Sequence, residues 1–546
     1  MQSLLQYRRI RREVEEELAY VQGKSFSSHS SNSLSSLETN PNGDRDPEAA
    51  VEKPVLSKYT PLVSGVTVLH PDGANSDVVF VVGWRDNDPS NPLNWSLSKK
   101  WMVMMMCCVI AIAMTIPSSI EGATQEAFDA HFGVNDMAGS MTTGIFLIGI
   151  GVGSLFCGPF SETFGRNIVY FATLILVIVF ILAKALAPNY GAALAFRFIS
   201  ALFAAAPMTV AGGTVGDIWE PMQIPFGLPL VTLTAYTGPI LGPVIGAYTS
   251  QIGFAWADWI SMIIAGFAFI IVIIGQPETF SPILLEWRAK HLRDLTGDDR
   301  YRAEHALSPT TSLATRLLSN VYRPFMMIWT EPLILIFSFY LVLLYFVLFT
   351  FLNGYPFIFA KVYDISSSLT YLIFAAMIPG VFVALALIPL FYGLTKKAAR
   401  KAEAEGKALQ PEVSLYWAMA GASILMPISL FWMAWTCYPS ISIWSPIVAS
   451  GVFGYALVCI FTTTYMYIIF VYLKYAASAL GFMTFARYVV SGALSPASVK
   501  MYEKLGPHWS LTIVGIIATI MAPVPFVLYK YGHKVRAMSK NVQNKA

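Results

Sequence analysis

The chain has 546 residues, of which 55% are hydrophobic and only 13% are charged, with a net charge of +3. Because a water-soluble domain carries about a quarter charged residues, this composition excludes a soluble protein and favours a polytopic membrane protein. The five cysteines fall inside apolar runs without a CxxC pair, which argues against a disulfide framework or a metal site.

The chain begins with a long polar stretch. Its many Ser, Pro, Asn, Asp and Gly residues cannot bury enough apolar surface to fold alone, so residues 1–98 are predicted to be a largely disordered cytoplasmic tail. The end of this tail differs, because Trp84 and Trp95 bracket a run of turn-forming residues. This arrangement predicts an interfacial collar over 84–98 that lies on the membrane surface.

Twelve apolar runs follow, each long enough to cross a bilayer as a helix. A polar cytoplasmic loop at 277–328 divides them into six and six, the pattern of a duplicated transport protein. The sequence therefore predicts an all-α membrane protein with twelve transmembrane helices in two pseudo-symmetric six-helix bundles, 99–276 and 329–531, and a cytoplasmic tail at 532–546. The approximate spans are 101–119, 138–158, 168–187, 192–216, 225–248, 256–276, 331–352, 368–392, 414–437, 443–470, 475–498 and 508–529.

The distribution of positive charge predicts the orientation. If both termini are cytoplasmic, all but six of the 36 Lys and Arg residues fall on the cytoplasmic side, as the positive-inside rule requires. The opposite orientation would place nearly all of them outside. We therefore expect a multi-pass protein of the cell membrane with both termini in the cytosol. The six exceptions are Lys184, Arg197, Lys361, Arg487, Lys500 and Lys504.

The loop between the second and third spans, Gly158-Pro-Phe-Ser-Glu-Thr-Phe-Gly-Arg166, combines a turn, a carboxylate and a cation. Its opening Gly-Pro pair is predicted to end the second span. Glu162 and Arg166 are four residues apart and could pair if the turn is helical, and Glu162 could also meet Asp217 at the inner end of span four. The pattern indicates a charged hinge between moving helices, with a plain polar connection as the alternative. The predicted hinge residues are Gly158, Pro159, Glu162, Gly165, Arg166 and Asp217.

A repeat of Gly-Pro pairs lies in the fifth span, at 225–248. Its glycines recur every four residues on one helical face, which permits close approach of a neighbouring helix. Its prolines each remove a backbone donor and bend the helix. The repeat predicts a flexible gating helix, and ordinary packing of small residues is the alternative. The residues concerned are Gly238, Pro239, Gly242, Pro243 and Gly246.

Ionisable residues within spans are functional candidates, because burying an ion in a membrane is unfavourable. Arg197 in span four could bind an anionic group of a substrate, modulate a proton site, or snorkel to the surface. Arg487 in span eleven is a further candidate. Glu121 at the outer end of span one and Asp217 at the inner end of span four are the candidate proton acceptors. Aromatic rings can hold flat or cationic organic molecules, and Tyr340 and Tyr345 of span seven are predicted to line a cavity.

Together these motifs resemble the major facilitator superfamily and, within it, the fungal twelve-span drug:proton antiporters of the multidrug and toxin efflux branch. The loop at 158–166 is similar to the loop between spans two and three, the Gly-Pro repeat to the fifth-span motif of the antiporters, and Arg197 to the Arg of the fourth-span motif. Further similar segments extend the resemblance over 84–536; they are 91–95, 277–290, 475–480 and 501–506.

The resemblance implies the major facilitator fold, alternating access, and export of a small organic molecule. Its usual coupling ion is the proton, and the expected state is a monomer among membrane lipids. Neither a cofactor nor a nucleic-acid partner is predicted, and no nucleophile–base pair indicates an enzyme. Three segments depart from the family pattern by removing or reversing a charge: Trp219-Glu-Pro-Met-Gln223, Ala255-Trp-Ala-Asp-Trp259 and Tyr472-Leu-Lys-Tyr475.

These departures leave open a different coupling mechanism or a narrow substrate class. The alternatives to an exporter are a transporter or facilitator for organic acids, polyamines or sugars, or a transporter-like membrane sensor. A sensor is expected to carry a large folded cytoplasmic extension.

Overall fold

The computed structural model describes residues 2–34, 65–69, 78–220, 222–249, 251–304, 313–406, 409–472 and 476–539. Two compact units contain these residues. One unit comprises 1–96 and 277–311, and the other comprises 97–276 and 312–546. The membrane-spanning helices all belong to the second unit.

In chain order the helices are α1 (Gln2–Leu34), α2 (Leu97–Thr115), α3 (Gln125–Phe132), α4 (Asp136–Phe164), α5 (Arg166–Ala185), α6 (Tyr190–Ile218), α7 (Ile224–Thr249), α8 (Trp256–Gly275), α9 (Ser281–Thr296), α10 (Leu313–Thr330), α11 (Pro332–Tyr355), α12 (Ser367–Leu372), α13 (Ile378–Ala386), α14 (Ile388–Ala404), α15 (Ser423–Thr436), α16 (Trp444–Tyr472), α17 (Ala476–Met521) and α18 (Val524–Met538). The strands are β1 (Val66–Leu69), β2 (Val79–Val82) and β3 (Tyr301–Ala303). Two 3-10 turns, Ile116–Ser118 and Ile120–Thr124, follow α2.

Eleven helical segments of the described chain are long and apolar enough to cross a membrane. The last of them, Ser478–Met538, has 61 residues. Its length of about 90 Å is roughly three times the thickness of a bilayer core. The segment breaks at Gly506, whose φ of 73° lets the chain turn, so it carries both the eleventh and the twelfth predicted spans. The predicted fold of six spans in each half is confirmed.

Local sequence sets several helix ends. The side chains of Asn135 and Asn189 accept hydrogen bonds at 2.9 Å from the backbone N–H groups of Ala138 and Ala192, in the first turns of α4 and α6. These bonds satisfy donors that have no partner within the helix. Gly133 ends α3 in the left-handed conformation, with φ of 65°.

Residues 2–34, part of the tail predicted at 1–98 to be largely disordered, form α1, whereas residues 35–64 and 70–77 of that tail lie outside the described residues. Val14 of α1 packs with Leu285 and Leu292 of α9, in a core that also includes side chains of the sheet. The helix thus buries its apolar face against the central loop, a partner far away in the sequence. The composition of the tail alone could not indicate this partner.

The sheet of the first unit places β2 between an antiparallel β1 and a parallel β3. Nearby, the Arg288 guanidinium of α9 donates to Asp88 at 2.9 Å, and the Trp84 indole N–H donates to Ser281 at 2.5 Å. Trp84 and Asp88 are therefore packed within this unit, and the position of residues 84–98 on the membrane surface stays a prediction.

Two further predicted boundaries fall inside helices. The loop predicted at 277–328 contains α9, β3 and most of α10, and its residues 305–312 lie outside the described part. The tail predicted at 532–546 begins within α18, which continues to residue 538. The side chain of Arg536 is buried there in an ion pair with Glu412, which draws the end of the helix against the bundle.

The second unit has two halves, α2–α8 and α11–α18, which touch along α4 and α17. The two helices approach closely at a pair of glycines, because a Cβ on Gly144 would lie 2.6 Å from the carbonyl oxygen of Gly492. Only the lack of a side chain permits this distance.

The halves also touch at both ends of α7. We call the end of the bundle that carries α3 the α3 end, and the opposite end, which carries Gly165, the Gly165 end. At the α3 end, the Tyr371 hydroxyl donates to the carbonyl of Gly122 at 2.9 Å. At the Gly165 end, the rings of Phe226 and Tyr392 have centroids 5.7 Å apart. The two halves are therefore in contact at both ends of the bundle.

Candidate functional site

An ion pair between Arg166 and Asp217 joins three helices at the Gly165 end. The Arg166 Nε donates to one carboxylate oxygen of Asp217 at 3.0 Å, and Nη2 approaches the other at 3.4 Å. Nη1 donates to the Ser161 hydroxyl at 2.5 Å. The two charged side chains are only 9% and 14% exposed. This contact holds the start of α5 to the end of α6 and to α4.

The pairing differs from the one predicted between Glu162 and Arg166. α4 does not end at Gly158 and Pro159 but continues as far as Gly165, where a φ of 94° redirects the chain. Glu162 and Arg166 therefore lie on different helices, and their four-residue spacing does not bring them together. Glu162 is exposed and forms no ion pair within the described ranges.

Gly213 of α6 allows the Arg166 guanidinium to reach Asp217, because a Cβ at this position would lie 2.9 Å from Cζ of Arg166. We expect Gly213→Val to displace Arg166 and to destabilise the protein by about 1–3 kcal/mol. The apparent unfolding temperature of the purified protein measures this effect. Gly212→Val and Gly216→Val are matched controls on the same helix, where a Cβ meets nothing within 4 Å. Equal unfolding temperatures for all three variants would contradict the expectation.

The predicted glycine face of α7 lies against the end of α2 and the turns that follow it. A Cβ on Gly238 would collide with Thr115, one on Gly242 with Ser119, and one on Gly246 with the backbone of the second turn. The glycines therefore permit a close helix contact, as expected for either of the two interpretations. Their role in gating stays a prediction.

The two prolines predicted to bend α7, Pro239 and Pro243, leave one backbone carbonyl of the helix without its usual hydrogen bond. Pro243 has no N–H to donate to the carbonyl of Pro239, four residues earlier. The Ser119 hydroxyl donates to that carbonyl at 2.8 Å instead. The hydrogen bond lost inside α7 is thus replaced by one that connects α7 to the first span.

Four buried charges from four segments form a network at the α3 end. The Lys184 ammonium of α5 donates to Glu121 at 2.6 Å and to both carboxylate oxygens of Asp258 in α8, at 2.7 and 2.8 Å. Nη1 of Arg197 in α6 lies 2.7 Å from the same Glu121 oxygen. Each of the four side chains is at most 6% exposed. The two positive and two negative charges balance, which makes their burial tolerable.

Arg197 does not snorkel to the surface. Its Nη2 donates to the carbonyl oxygen of Pro117 at 2.5 Å, and its guanidinium lies 4.3 Å from the ring centroid of Phe146. The cation is therefore held inside the bundle by Glu121, a backbone oxygen and an aromatic face.

The partners of Arg197 and Glu121 are harder to recognise from sequence. Lys184 lies near a helix end, like an ordinary loop cation. Asp258 belongs to one of the segments that depart from the family pattern, and the structure gives this reversed charge a counter-ion in Lys184. The sequence offers one indication of this pair: Lys184 lies in the last turn of α5 and Asp258 in the first turn of α8, and their charges are opposite.

A small cavity adjoins this charge network. It is lined by Glu121, Thr124, Gln125, Phe128, Thr142, Lys184 and Phe254. One Glu121 oxygen, Oε2, has no hydrogen-bond partner within the described part of the chain. The network thus contains a carboxylate that adjoins a cavity and retains an acceptor atom.

Another buried cation, Arg487, lies where the two halves meet, within a set of rings that we call the aromatic cage. The Arg487 guanidinium of α17 is 4.7 Å from the centroids of Tyr345 and Phe461, 4.9 Å from that of Tyr488 and 5.3 Å from that of Tyr465. These rings belong to α11, α16 and α17. Rings at such distances attract a cation through their negative faces.

The first half contributes one residue to the aromatic cage. The Tyr236 hydroxyl of α7 donates to the Tyr345 hydroxyl at 3.0 Å, and its ring packs 4.8 Å from that of Phe461. Tyr345 and Arg487 are predictable as site residues, whereas Tyr236 and Phe461 resemble the many other aromatic residues of the spans.

Tyr340 does not join the aromatic cage, although it shares α11 with Tyr345. Five residues correspond to about 140° around a helix, so the two side chains point in different directions. The Tyr340 side chain is buried, and its hydroxyl has no hydrogen-bond partner among the residues that the structure describes. The structure therefore separates the two tyrosines, and a role for Tyr340 in a cavity stays a prediction.

Residues 101–496 match the Major Facilitator Superfamily. The chain belongs to this superfamily. This major facilitator protein is 44% identical to the MFS-type transporter kojT of Aspergillus flavus, over 85% of its own length and 83% of that relative. It is 32% identical to the citrinin biosynthesis cluster MFS transporter mrr1 of Monascus ruber, over 85% of its own length and 92% of that relative. It is therefore a membrane transporter.

Among solved structures, this transporter has the fold of the proton:xylose symporter XylE of E. coli. The TM-score is 0.54 at 12% identity, and the match covers 80% of this chain and 96% of the other. At that identity the likeness concerns the fold alone.

Proposed function

We propose that this major facilitator protein exports a small organic molecule in exchange for protons. The observation that carries the proposal is the aromatic cage between the two halves, which contact each other at both ends of the bundle. A molecule held there would become accessible on one side when the halves part at one end, which is alternating access. The name of mrr1 includes a biosynthesis cluster, and this supports export of a product made inside the cell.

The proposed location is the plasma membrane, where a transporter monomer surrounded by lipid has both termini in the cytosol. The Gly165 end then faces the cytosol and the α3 end faces outside. The distribution of Lys and Arg supports this orientation, because only six of the 36 lie elsewhere than the cytosolic side.

The charge network at the α3 end is the proposed site of proton coupling. A proton on Glu121 would remove the negative charge that Arg197 and Lys184 share, while Asp258 would still neutralise Lys184. Arg197 would then lose its only ionic partner within the described residues. Protonation would thus change the contacts between α6 and the first span. One arrangement of the helices would then become more stable than the other.

Export is tested by the accumulation of a panel of small organic compounds in cells with and without this protein. We expect the expressing cells to contain less of at least one compound, and a protonophore to abolish the difference. A difference that survives the protonophore would indicate a facilitator, the principal alternative. No difference for any compound would contradict export.

We expect Glu121→Gln to uncouple transport from the proton gradient. Purified protein in liposomes, loaded with a substrate identified from the panel, should still exchange substrate across the membrane but should no longer concentrate it when a pH gradient is imposed. Glu126→Gln is the matched control, because Glu126 is exposed at the same end of the bundle. Gradient-driven accumulation by the Glu121 variant at the rate of wild type would exclude Glu121 as the coupling residue.

A further inference from the structure

We propose that the aromatic cage recognises a planar organic anion, with Arg487 as the residue that binds its negative charge. The inference rests on the proposed transport function and specifies the chemical class of the substrate. Carboxylates attached to a ring belong to this class. The recognition site consists of Arg487, Tyr236, Tyr345, Phe461, Tyr465 and Tyr488.

The guanidinium of Arg487 is buried without a counter-ion. The side chain is 4% exposed and forms no ion pair within the described residues. Its Nε and Nη1 atoms have no hydrogen-bond partner there. The buried Arg166, Arg197 and Arg288 side chains, by contrast, each contact at least one carboxylate. Arg487 is therefore a charged group with donors available for a ligand.

The position of this charge makes it unfavourable without a ligand. Tyr236, Tyr345 and Arg487 each lie at least ten residues from the ends of their helices, which places the aromatic cage about 15 Å or more inside the bundle. Cation–π attraction offsets only part of the energy needed to remove a guanidinium from water. A bound anion would supply the missing counter-charge and accept hydrogen bonds from Nε and Nη1.

The donor geometry favours a carboxylate or a similar pair of oxygens. A guanidinium presents its N–H groups in a planar fork that matches two oxygens at once. The surrounding rings offer faces and edges on which a second planar group can pack. A compact planar anion therefore fits the available chemistry better than a cation or an apolar molecule.

A ligand bound to Arg487 would also affect the contact between the two halves. The hydroxyl of Tyr236 in the first half bonds to that of Tyr345 in the second, and Tyr345 lies over the guanidinium. An anion that displaces or joins this pair would contact both halves at once. Binding would then change the balance between open and closed arrangements, as transport requires.

Benzoate is a suitable probe, with benzamide and benzamidine as neutral and cationic molecules of the same shape. Binding of each to the full-length protein in lipid nanodiscs is measured at neutral pH by ligand-observed NMR. We expect saturable binding of benzoate and markedly weaker binding of the other two. Arg487→Gln should raise the Kd of benzoate by about tenfold or more, because it removes hydrogen bonds from a charged donor.

Arg487→Gln leaves no carboxylate unpaired, so it should fold like wild type, as judged by size-exclusion chromatography and apparent unfolding temperature. Arg487→Met serves as a second variant if the first aggregates. The inference is overturned if wild type does not bind benzoate, if benzamide or benzamidine binds as tightly as benzoate, or if the variant retains the wild-type Kd.

This test separates the inference from the proposed function, because it requires no gradient and no transport. If benzoate binds through Arg487 but the protein transports nothing, export is contradicted and the inference stands. If the protein exports a neutral compound with protons, at an unchanged rate in Arg487→Gln, the inference is overturned and export stands.

Discussion

Lys184→Met is expected to destabilise the folded transporter by about 3–5 kcal/mol, because it leaves a buried carboxylate without a cation. Lys184 is the cation that contacts both Glu121 and Asp258 in the charge network. After the substitution, Arg197 still neutralises Glu121, but Asp258 retains no ionic partner within the described residues. An uncompensated buried ion is among the most destabilising defects that a single substitution produces.

Addition of Asp258→Asn to Lys184→Met is expected to restore most of the lost stability. The double variant removes one positive and one negative charge, so the remaining pair of Glu121 and Arg197 is neutral. Each variant is purified in the same detergent, and its free energy of unfolding is compared with that of wild type. With Asp258→Asn alone as the fourth protein, the comparison forms a double-mutant cycle, which isolates the interaction between the two side chains.

Lys504→Met is the matched control, because Lys504 is exposed at the same end of the bundle. Its effect should stay within about 0.5 kcal/mol. A double variant that is as unstable as Lys184→Met would show that Asp258 depends little on Lys184. A Lys184 variant as stable as the control would show that the network does not stabilise the fold.

Gly492→Val is expected to impair transport by obstructing the contact of α4 with α17. A Cβ on Gly492 would lie 2.5 Å from the carbonyl oxygen of Gly144, and backbone atoms cannot yield as a flexible side chain does. The added volume should destabilise the arrangement in which α4 and α17 are in contact by about 1–3 kcal/mol. A shift of this size changes the population of the arrangement by about fivefold to 150-fold.

The rate of export per molecule of folded protein measures this effect, and we expect a fall of about tenfold. Gly481→Val is the matched control on the same helix, because a Cβ there meets nothing within 4 Å. If the two variants export equally fast, closure along α4 and α17 is not required during the cycle.

The membrane-spanning fold is predictable because the thickness of the bilayer fixes the length of each apolar run. The charge network is predictable only in part, since its members come from distant segments. Lys184 is 63 residues from Glu121 and 74 from Asp258 along the chain. No local pattern connects such residues. Arg197 and Glu121 are nevertheless identifiable as candidates, because burying a charge in a membrane is energetically unfavourable.

Helix geometry explains two arrangements that sequence spacing does not reveal. The pair of Glu162 and Arg166 is conditional on a continuous helical turn, and Gly165 interrupts it. Tyr340 and Tyr345 lie in one span, but their five-residue spacing places them on different faces. Sequence spacing predicts contacts only where the start and end of the helix are known.

The packing of α1 against α9 has a consequence for the order of events during biosynthesis. Arg288 of α9 contacts both Glu17 and Asp88, so residues before the first span depend on a partner that follows the sixth. Roughly 180 residues separate the end of the early segment from α9, and translation at about 5–20 residues per second needs about 10–40 seconds to make them. During that interval the emerging N-terminal segment lacks its folding partner, and six helices must enter the membrane before this unit can assemble.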